Sequence, residues 1–404
     1  MKKVILCIGT LDTKGPEVQY VKDLIERKRG WAALVMDTGC QGEGYFKADI
    51  SADEVARAGG STIQNVRGLK EAGPAARVMT AGAVKLAKEL FDSGRFQGVI
   101  SVGGGTGSSI ASAVMRELPI GFPKFMLSTQ KIVQAGIRRY VGTRDIAVMP
   151  SVVDIAGLNQ LTRGALRRSV GAIMGMIDAP EENSTGKDLV FMTMTGLSTG
   201  CGDEVRSRLE EEGFEVVVFH AIGMGGETFE EMVKSYPVKG VIELGLNEIG
   251  NELFGGLASA GPHRLEAAGK KGIPQVVTPG CVDFINFLAP ETLPERYKDR
   301  AICYHNPQAT LPRMNADELR LVAKTMADKL NSSSGPVRFL VPLRGFSSPD
   351  CVGNPFYDPS ADLAFAECIR GSLKPQIGIK EIDAHINDPE FAHAVAADFL
   401  DIMR

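Results

Sequence analysis

Val99-Ile100-Ser101-Val102-Gly103-Gly104-Gly105-Thr106-Gly107-Ser108-Ser109-Ile110 is an apolar run that passes abruptly into glycines and small hydroxyl residues. The pattern predicts a buried strand, a tight turn and the start of a helix. Glycines at such a turn let a ligand approach the backbone, and the free N–H groups of the next helix attract an anion. The stretch therefore predicts a phosphate site, although similar turns also occur for packing alone.

The chain before this turn begins with a strand, a loop and a helix. Val4–Ile8 predicts a first strand, Gly9–Glu17 a polar loop and Val18–Glu26 a helix. Ala32–Met36 predicts a second strand, which ends at Asp37. An acidic residue at that position often binds a ribose in Rossmann-like sheets. The alternative for Asp37 is a cap or a turn residue.

The rest of the first half continues the alternation of strands and helices. Helical spacing runs from Ile50 to Leu90, with interruptions predicted at Gly59-Gly60 and Gly73-Pro74. Lys124–Leu127 and Ile146–Met149 predict two further strands. This alternation favours an open, mostly parallel sheet.

The polar segment Asp178–Lys187 predicts a boundary between two domains. A length of 404 residues also favours two domains. After the boundary, a strand, a glycine-containing loop and a helix recur over Leu189–Glu212. We therefore expect an α/β protein with two Rossmann-like subdomains and mostly parallel open sheets, over residues 1–182 and 183–404. The recurrence suggests an internal duplication.

Composition and charge restrict the class of protein. Apolar residues make up 44% and charged residues 23%, and the formal net charge is −4. No basic stripe appears, so we expect no nucleic-acid partner. The seven cysteines occur singly, which favours reduced thiols, and no apolar run is long enough for a membrane span. We expect a cytoplasmic protein with no membrane partner.

Two loops form a predicted nucleotide site, because the carboxyl ends of parallel strands meet at one edge of a sheet. Backbone amides and hydroxyls of the glycine turn would hold phosphates, Lys14 would add a positive charge, and Asp12 would hold Mg²⁺ through water. A solvated, capped loop is the alternative for Asp12 and Lys14. Neither a Walker A loop nor G-x-G-x-x-G at the first turn is present. The candidate binding residues are Gly9, Thr10, Asp12, Thr13, Lys14, Asp37, Gly103, Gly104, Gly105, Thr106, Gly107, Ser108 and Thr129.

The second half contains candidate nucleophiles. Gly196–Gly200 fits G-x-S-x-G, which would make Ser198 a nucleophile, with Asp283 and His305 following in the order of a hydrolase triad. Cys201 lies near a predicted helix start, where a thiolate is favoured, and His220 would be its base. The alternative for both nucleophiles is a small buried or capping residue.

Polar residues also follow several strands of the second half, where two arginines suit a carboxylate or a phosphate. They predict a pocket for a small anionic metabolite, formed by Glu248, Asp283, Asn286, His305, Asn306, Arg313 and Arg344. A metal site lacks the i, i+4 ligand spacing that would make it specific. The candidate catalytic residues are Cys201, His220, Glu248, Asp283 and His305.

Several motifs together resemble one family. They are Ile8–Lys14, Ser101–Gly107, Phe219-His220-Ala221 with Gly225-Gly226, Gly280–Asp283 and His305-Asn306-Pro307. The chain resembles the ATP-binding family typified by the tomato mosaic virus resistance protein, whose microbial members are largely uncharacterised. It departs from that family at Leu244–Asn247, where Thr-rich sequence is usual, and at Ser198 and Gly200, where Thr and Pro are usual.

The resemblance implies a nucleotide in the first subdomain, ATP with Mg²⁺ as the ligands, and a homodimer. We therefore expect an ATP-binding protein of unknown cellular role, with phosphates on the Gly103–Ser108 loop. The alternative is a hydrolase or acyl transferase that uses Cys201 or Ser198 with His220 or His305. A third interpretation makes the nucleotide a structural ligand of a dimer that binds a partner.

Overall fold

The computed structural model describes residues 2–180 and 185–404. The chain divides into two compact units, Met1–Glu182 and Asn183–Arg404. Each unit contains one parallel sheet with helices packed on it. None of the helices in the described ranges is long and apolar enough to cross a membrane.

The first unit has a five-stranded parallel sheet in the order β2-β1-β3-β4-β5. Its strands are β1 (Lys3–Gly9), β2 (Trp31–Asp37), β3 (Gly98–Gly103), β4 (Lys124–Ser128) and β5 (Ala147–Pro150). Its helices are α1 (Leu11–Glu26), α2 (Ala52–Ala58), α3 (Ile63–Arg67), α4 (Ala72–Asp92), α5 (Gly105–Glu117), α6 (Lys131–Ala135), α7 (Arg138–Val141) and α8 (Gln160–Asp178).

Both faces of this first sheet are buried, which explains why its strands are continuous apolar runs. Along β1, Ile5 and Cys7 pack with α1 and α8 on one face. Leu6 and Ile8 face the other way and pack with α4 and α5. The helices α1 and α5, which follow neighbouring strands, therefore lie on opposite faces of the sheet.

The second unit has a six-stranded parallel sheet in the order β13-β12-β9-β8-β6-β7 and a separate antiparallel hairpin, β10-β11. Its strands are β6 (Leu189–Met194), β7 (Glu215–His220), β8 (Val238–Gly245), β9 (Gln275–Gly280), β10 (Ile302–Asn306), β11 (Ala309–Pro312), β12 (Val337–Pro342) and β13 (Gly378–Ile382). Its α-helices are α9 (Thr199–Glu211), α10 (Met224–Ser235), α11 (Asn247–Phe254), α12 (Ala267–Lys271), α13 (Ala316–Leu330), α14 (Pro359–Ser372) and α15 (Pro389–Ile402). Three short 3-10 helices cover Gly196–Ser198, Pro290–Thr292 and Glu295–Tyr297.

The two sheets share one strand order. In each, the first strand has the second strand on one side and the third on the other, and the next strands continue outward from the third. The second sheet adds β13 at its edge. The predicted α/β fold with two largely parallel sheets is thus confirmed, and the shared order agrees with the suggested duplication.

Helix starts differ from the sequence prediction. Helix α1 begins at Leu11 instead of Val18, with a break from helical geometry at Lys14. Helix α5 begins directly at Gly105. Pro74 does not interrupt a helix, because it lies in the first turn of α4, where its missing N–H group needs no helical partner.

A close helix contact in the first unit gives a stability prediction. A Cβ atom at Gly82 in α4 would lie 1.8 Å from the carbonyl oxygen of Val55 in α2. We expect Gly82→Ala to lower the free energy of unfolding by about 1–3 kcal/mol, although alanine has the higher helix propensity. Gly73→Ala in the same helix is the control, since nothing lies within 4 Å of its Cβ position. Urea unfolding measures both; equal stability of the two variants would contradict the assigned contact.

Candidate functional site

The first candidate site lies where the strand order of the first sheet reverses. The loops that leave β1 and β3 lead to helices on opposite faces, which opens a crevice between the loops. A cavity of about 180 Å³ lies there. It is lined by Thr10, Asp12, Thr13, Lys14, Thr38, Cys40, Gln41, Gly104, Gly105, Thr106 and Gly107.

The glycine turn presents backbone donors to this cavity. Strand β3 ends at Gly103, and Gly104 caps α5 without any side-chain hydrogen bond. The N–H group of Ser108 donates to the carbonyl oxygen of Gly104 at 2.9 Å, so the N–H groups of Gly105–Gly107 have no partner within the helix. A Cβ atom at Gly104 would meet nothing within 4 Å, which shows that the space above the turn is open.

Asp12 is the acidic group of this cavity. Its Oδ2 atom accepts hydrogen bonds from the N–H groups of Gln41 at 2.6 Å and Gly42 at 3.2 Å. Its Oδ1 atom is buried and has no hydrogen-bond partner among the described residues. One carboxylate oxygen therefore orders the loop after β2, while the other is unpaired within the part of the chain that the structure describes.

Two lysines lie near the glycine turn. The Lys14 ammonium group donates to the carbonyl oxygen of Ile155, a residue that does not line the cavity, although Lys14 itself does. The exposed side chain of Lys131 passes Gly105, with its Cδ atom 3.4 Å from the position of a Cβ atom there. The sequence did not predict Lys131 as a binding residue. It follows β4 and is distant in sequence from the glycine turn, so only the fold brings the two together.

Asp37 has a structural role at the end of β2. Its Oδ1 atom accepts hydrogen bonds from the N–H groups of Leu11 at 2.9 Å and Gly39 at 2.8 Å. Burial raises the pKa of Asp37, while these two hydrogen bonds lower it. Asp37 borders a different cavity, of about 540 Å³, which also includes Phe46 and Lys47. The Asp37 carboxylate therefore stabilises the turn after β2, which was the alternative to a ribose-binding role.

Four other predicted binding residues are absent from the lining of the first cavity. Gly9 and Gly103 end their strands. The Ser108 hydroxyl is buried and bonds to the Ser128 hydroxyl at 2.7 Å, joining α5 to β4. The Thr129 N–H group donates to the carbonyl oxygen of Gly103 at 3.3 Å. These residues hold the glycine turn in place but do not border the cavity.

A second cavity occupies the corresponding place in the second sheet, where the loops after β6 and β8 diverge. Its volume is about 310 Å³. It is lined by Thr195, Gly196, Leu197, His220, Ile222, Asn247, Phe284, Asn286, Asn306, Ala309 and Leu311. Of the predicted catalytic residues, the structure places His220 here. It describes His305 only as part of β10, and the His305 side chain lies outside the described residues.

Glu248 does not line the second cavity and is held in a buried ion pair, which corrects its prediction as a catalytic residue. It is fully buried, and its Oε2 atom accepts from Nε of Arg264 at 2.5 Å. Arg264 is also fully buried and forms ion pairs with Glu230 and Glu243. Burial raises the pKa of Glu248, and the Arg264 charge opposes that rise. This cluster of one arginine and three glutamates is structural.

Asp283 belongs to a second buried cluster, which corrects its assignment as well. Its Oδ2 atom accepts from the Ser347 hydroxyl at 2.6 Å, and burial and the Asp350 carboxylate raise its pKa to about 6. Arg313 donates to Asp362 at 2.6 Å and lies 3.6 Å from Asp350. Burial raises the pKa of Asp350 to about 7 and that of Asp362 to about 6.

The two arginines of the predicted anion pocket do not border the second cavity. Arg313 is held by the buried aspartates and by the carbonyl oxygen of Phe356. Arg344 pairs with Asp383 on the surface, and its side chain is 61% exposed. The lining contains no lysine, arginine, aspartate or glutamate among its described residues. The geometry therefore does not support a pocket for an anion at this place.

Neither predicted nucleophile is placed to react. Cys201 is fully buried in the core between α9 and the sheet, and burial raises the pKa of its thiol to about 12. Ser198 is also fully buried, and its hydroxyl bonds within its own turn, to the N–H and carbonyl groups of Thr195. Both are the small buried or capping residues of the alternative interpretation, so neither of the two nucleophiles named for a hydrolase or acyl transferase is exposed to a substrate.

Sequence reasoning missed some residues that line the two cavities. Thr38, Cys40 and Gln41 follow β2, and Phe284 follows β9. Asn247 comes directly after β8 and is fully buried. Only their position along the sequence could have identified these residues as candidates, because each of them follows a predicted strand. For the part of the chain that the structure describes, no group of three or more His, Cys, Asp or Glu side chains suits a metal ion.

Comparisons with known proteins agree with the division into two units. Residues 3–182 match the N-terminal domain of an uncharacterised protein family, UPF0261, and residues 187–403 match its C-terminal domain. A UPF0261 protein of Clostridium tetani is 40% identical over 100% of both chains. The ToMV resistance protein Tm-1(GCR237) of Solanum lycopersicum is 31% identical over 98% of this chain and 55% of its own length.

Among solved structures, UDP-N-acetylglucosamine 2-epimerase aligns over 69% of this chain and 79% of its own, with 11% identity and a TM-score of 0.25. This likeness is too weak to support a functional conclusion. The resemblance to the family of the tomato resistance protein is confirmed by the relatives. The homodimer, the nucleotide and the cytoplasmic location stay predictions.

The aspartate cluster around Arg313 predicts a pH dependence. Its aspartates have raised pKa values in the folded protein, so the folded state binds more protons than the unfolded state between about pH 4 and pH 7. The contribution of this cluster to the free energy of unfolding should therefore fall as the pH rises through this range. Asp350→Asn removes one titrating carboxyl, so its stability should fall less between about pH 5 and about pH 8 in urea unfolding.

The control for this prediction is Asp383→Asn. Asp383 is exposed, and its hydrogen bond with Arg344 lowers its pKa, so it stays ionised throughout this range. Its substitution should leave the pH dependence unchanged. The same slope in Asp350→Asn and the wild type would contradict the assignment of a protonated Asp350.

Proposed function

The chain belongs to the uncharacterised protein family UPF0261, and we propose that its first unit binds ATP with the phosphates on Gly104–Gly107. The observation that carries the proposal is the open glycine turn at the reversal of strand order, where the first N–H groups of α5 have no partner within the helix and Gly104–Gly107 line a cavity. Helix N-termini at such positions suit phosphate groups because the N–H donors and the helix dipole both favour negative charge.

The size and charge of the first cavity support this assignment. A volume of about 180 Å³ suits the phosphate chain, so the nucleoside would lie beyond it along the sheet edge. Lys14 is one of the residues that line the cavity, and Lys131 passes the glycine turn. Two cations and three backbone donors would offset most of the charge of a triphosphate. The hydroxyls of Thr10 and Thr13 add further hydrogen-bonding groups.

The unpaired oxygen of Asp12 fits a magnesium ion. Mg²⁺ prefers oxygen ligands, keeps several waters and is often held by one or two carboxylates together with substrate phosphates. Asp12 Oδ1 is a buried carboxylate oxygen without a partner among the described residues. When bound, the ion would neutralise phosphate charge. Asp12 itself keeps the Gln41–Gly42 backbone fixed, so its free oxygen would be positioned before the ligand arrives.

The glycine turn gives the first test. In Gly104→Val the new side chain enters open space, so we expect the unit to fold and the ATP affinity to fall at least about tenfold. The measurement is isothermal titration calorimetry with ATP and Mg²⁺. The control is Gly171→Val on the exposed side of α8, which should bind like the wild type. Equal binding by Gly104→Val and the control would reject the phosphate site, and so would a wild type that binds no nucleotide.

Asp12 gives the second test, through the dependence of binding on Mg²⁺. Asp12→Asn keeps an oxygen for the Gln41 N–H group but removes the charge that attracts the cation. We expect the gain in ATP affinity on adding Mg²⁺ to fall about tenfold in the variant, with little loss of affinity for ATP in EDTA. Calorimetry under both conditions measures this ratio. An unchanged ratio would show that Asp12 does not hold the ion.

A further inference from the structure

A buried amide oxygen in the second unit has no hydrogen-bond partner. Asn247 is fully buried, and its Oδ1 atom has no partner among the described residues. Buried polar atoms are almost always paired, so such an atom needs an explanation. Asn247 borders the second cavity, where the loops after β6 and β8 diverge. A ligand in that cavity can supply the missing donor.

The orientation of this amide is fixed by a chain of hydrogen bonds. Asn251 Oδ1 accepts from the N–H groups of Asn286 at 2.9 Å and Ala258 at 3.3 Å, so its amide cannot be reversed without losing both. Asn251 Nδ2 then donates to Asn286 Oδ1 at 3.0 Å. Asn247 Nδ2 donates to the same oxygen at 3.2 Å. Reversing Asn247 would place two oxygens against each other, so its Oδ1 must remain the unpaired acceptor.

The other walls of the cavity define the ligand further. Leu197, Ile222, Phe284 and Leu311 provide apolar surface. The polar side chains that line it are Thr195, His220, Asn247, Asn286 and Asn306, and no described lining residue is lysine, arginine, aspartate or glutamate. A charged ligand would lose its hydration here without an opposite charge to pair with. The volume of about 310 Å³ is at the lower end for small-molecule sites.

We propose that this cavity binds a small uncharged compound that presents an N–H or O–H donor to Asn247 Oδ1 beside an apolar face. The site is separate from the proposed ATP site, since all its residues belong to Asn183–Arg404. A test of this proposal is therefore independent of whether the first unit binds a nucleotide. The amide chain Asn251–Asn286–Asn247 holds the acceptor in position before the ligand arrives.

The test uses three probes of nearly equal size and ligand-observed NMR titration of the full chain. Benzamide has a donor, an apolar ring and no charge; methyl benzoate lacks the donor; benzoate is an anion. We expect saturable benzamide binding with a Kd of about 1 mM, and binding of the other two that is about tenfold weaker. Equal binding of benzamide and methyl benzoate, tighter binding of benzoate, or no benzamide binding would overturn the proposal.

Two variants locate the binding. Asn247→Leu removes the unpaired acceptor, so benzamide should lose about tenfold in affinity. A purely structural Asn247 would instead give a less stable variant with unaltered probe binding. The control Gly171→Val should bind benzamide like the wild type, because Gly171 lies in the first unit, on the exposed side of α8.

Gly196→Val tests the cavity without touching the amides. Gly196 lines the cavity, and its Cβ position has nothing within 4 Å, so valine fills the space and should abolish benzamide binding. Gly371→Val, on the exposed side of α14, is the matched control. Benzamide binding that survives Gly196→Val would place the probe elsewhere and contradict the proposal.

Discussion

The reversal of strand order beside β1 and β6 is the constraint on which both cavities depend. Right-handed crossovers place the helices of successive strands on opposite faces when the chain changes direction across a sheet. In the first unit α1 and α5 lie on opposite faces, and in the second α9 and α11 do so. The loops leading to them diverge, so part of each carboxyl edge is left uncovered. The two cavities follow from topology before any side chain is considered.

The same strand order places different chemical groups at the cavities of the two units. After β3 the chain continues as Gly103–Gly107, and the lack of side chains exposes backbone N–H groups. After β8 it continues as Gly245-Leu246-Asn247, and a buried amide takes the corresponding place. Backbone donors and lysines favour an anion, whereas amides and apolar walls favour an uncharged molecule. The shared strand order would thus serve two ligand classes if both proposals hold.

Buried ion pairs account for the absence of lysine, arginine, aspartate and glutamate from the described lining of the second cavity. Arg264 and Arg313 are each surrounded by carboxylates, and a buried arginine is tolerated only when such pairs and hydrogen bonds offset its lost hydration. The acidic residues Glu248 and Asp283 are used in these clusters. The polar side chains that remain in the described lining are those of Thr195, His220, Asn247, Asn286 and Asn306.

The sequence by itself determined the alternation of strands and helices, the glycine turn and most of the first cavity, from Thr10 to Lys14 and from Gly104 to Gly107. These are local features, because neighbouring residues produce them through periodicity and backbone freedom. Only the tertiary structure decided which polar side chains are buried. Glu248 meets Arg264 across 16 positions, and Asp283 meets Ser347 across 64. Such partners are brought together by sheet order, so the sequence pattern could not distinguish a buried ion pair from a catalytic group.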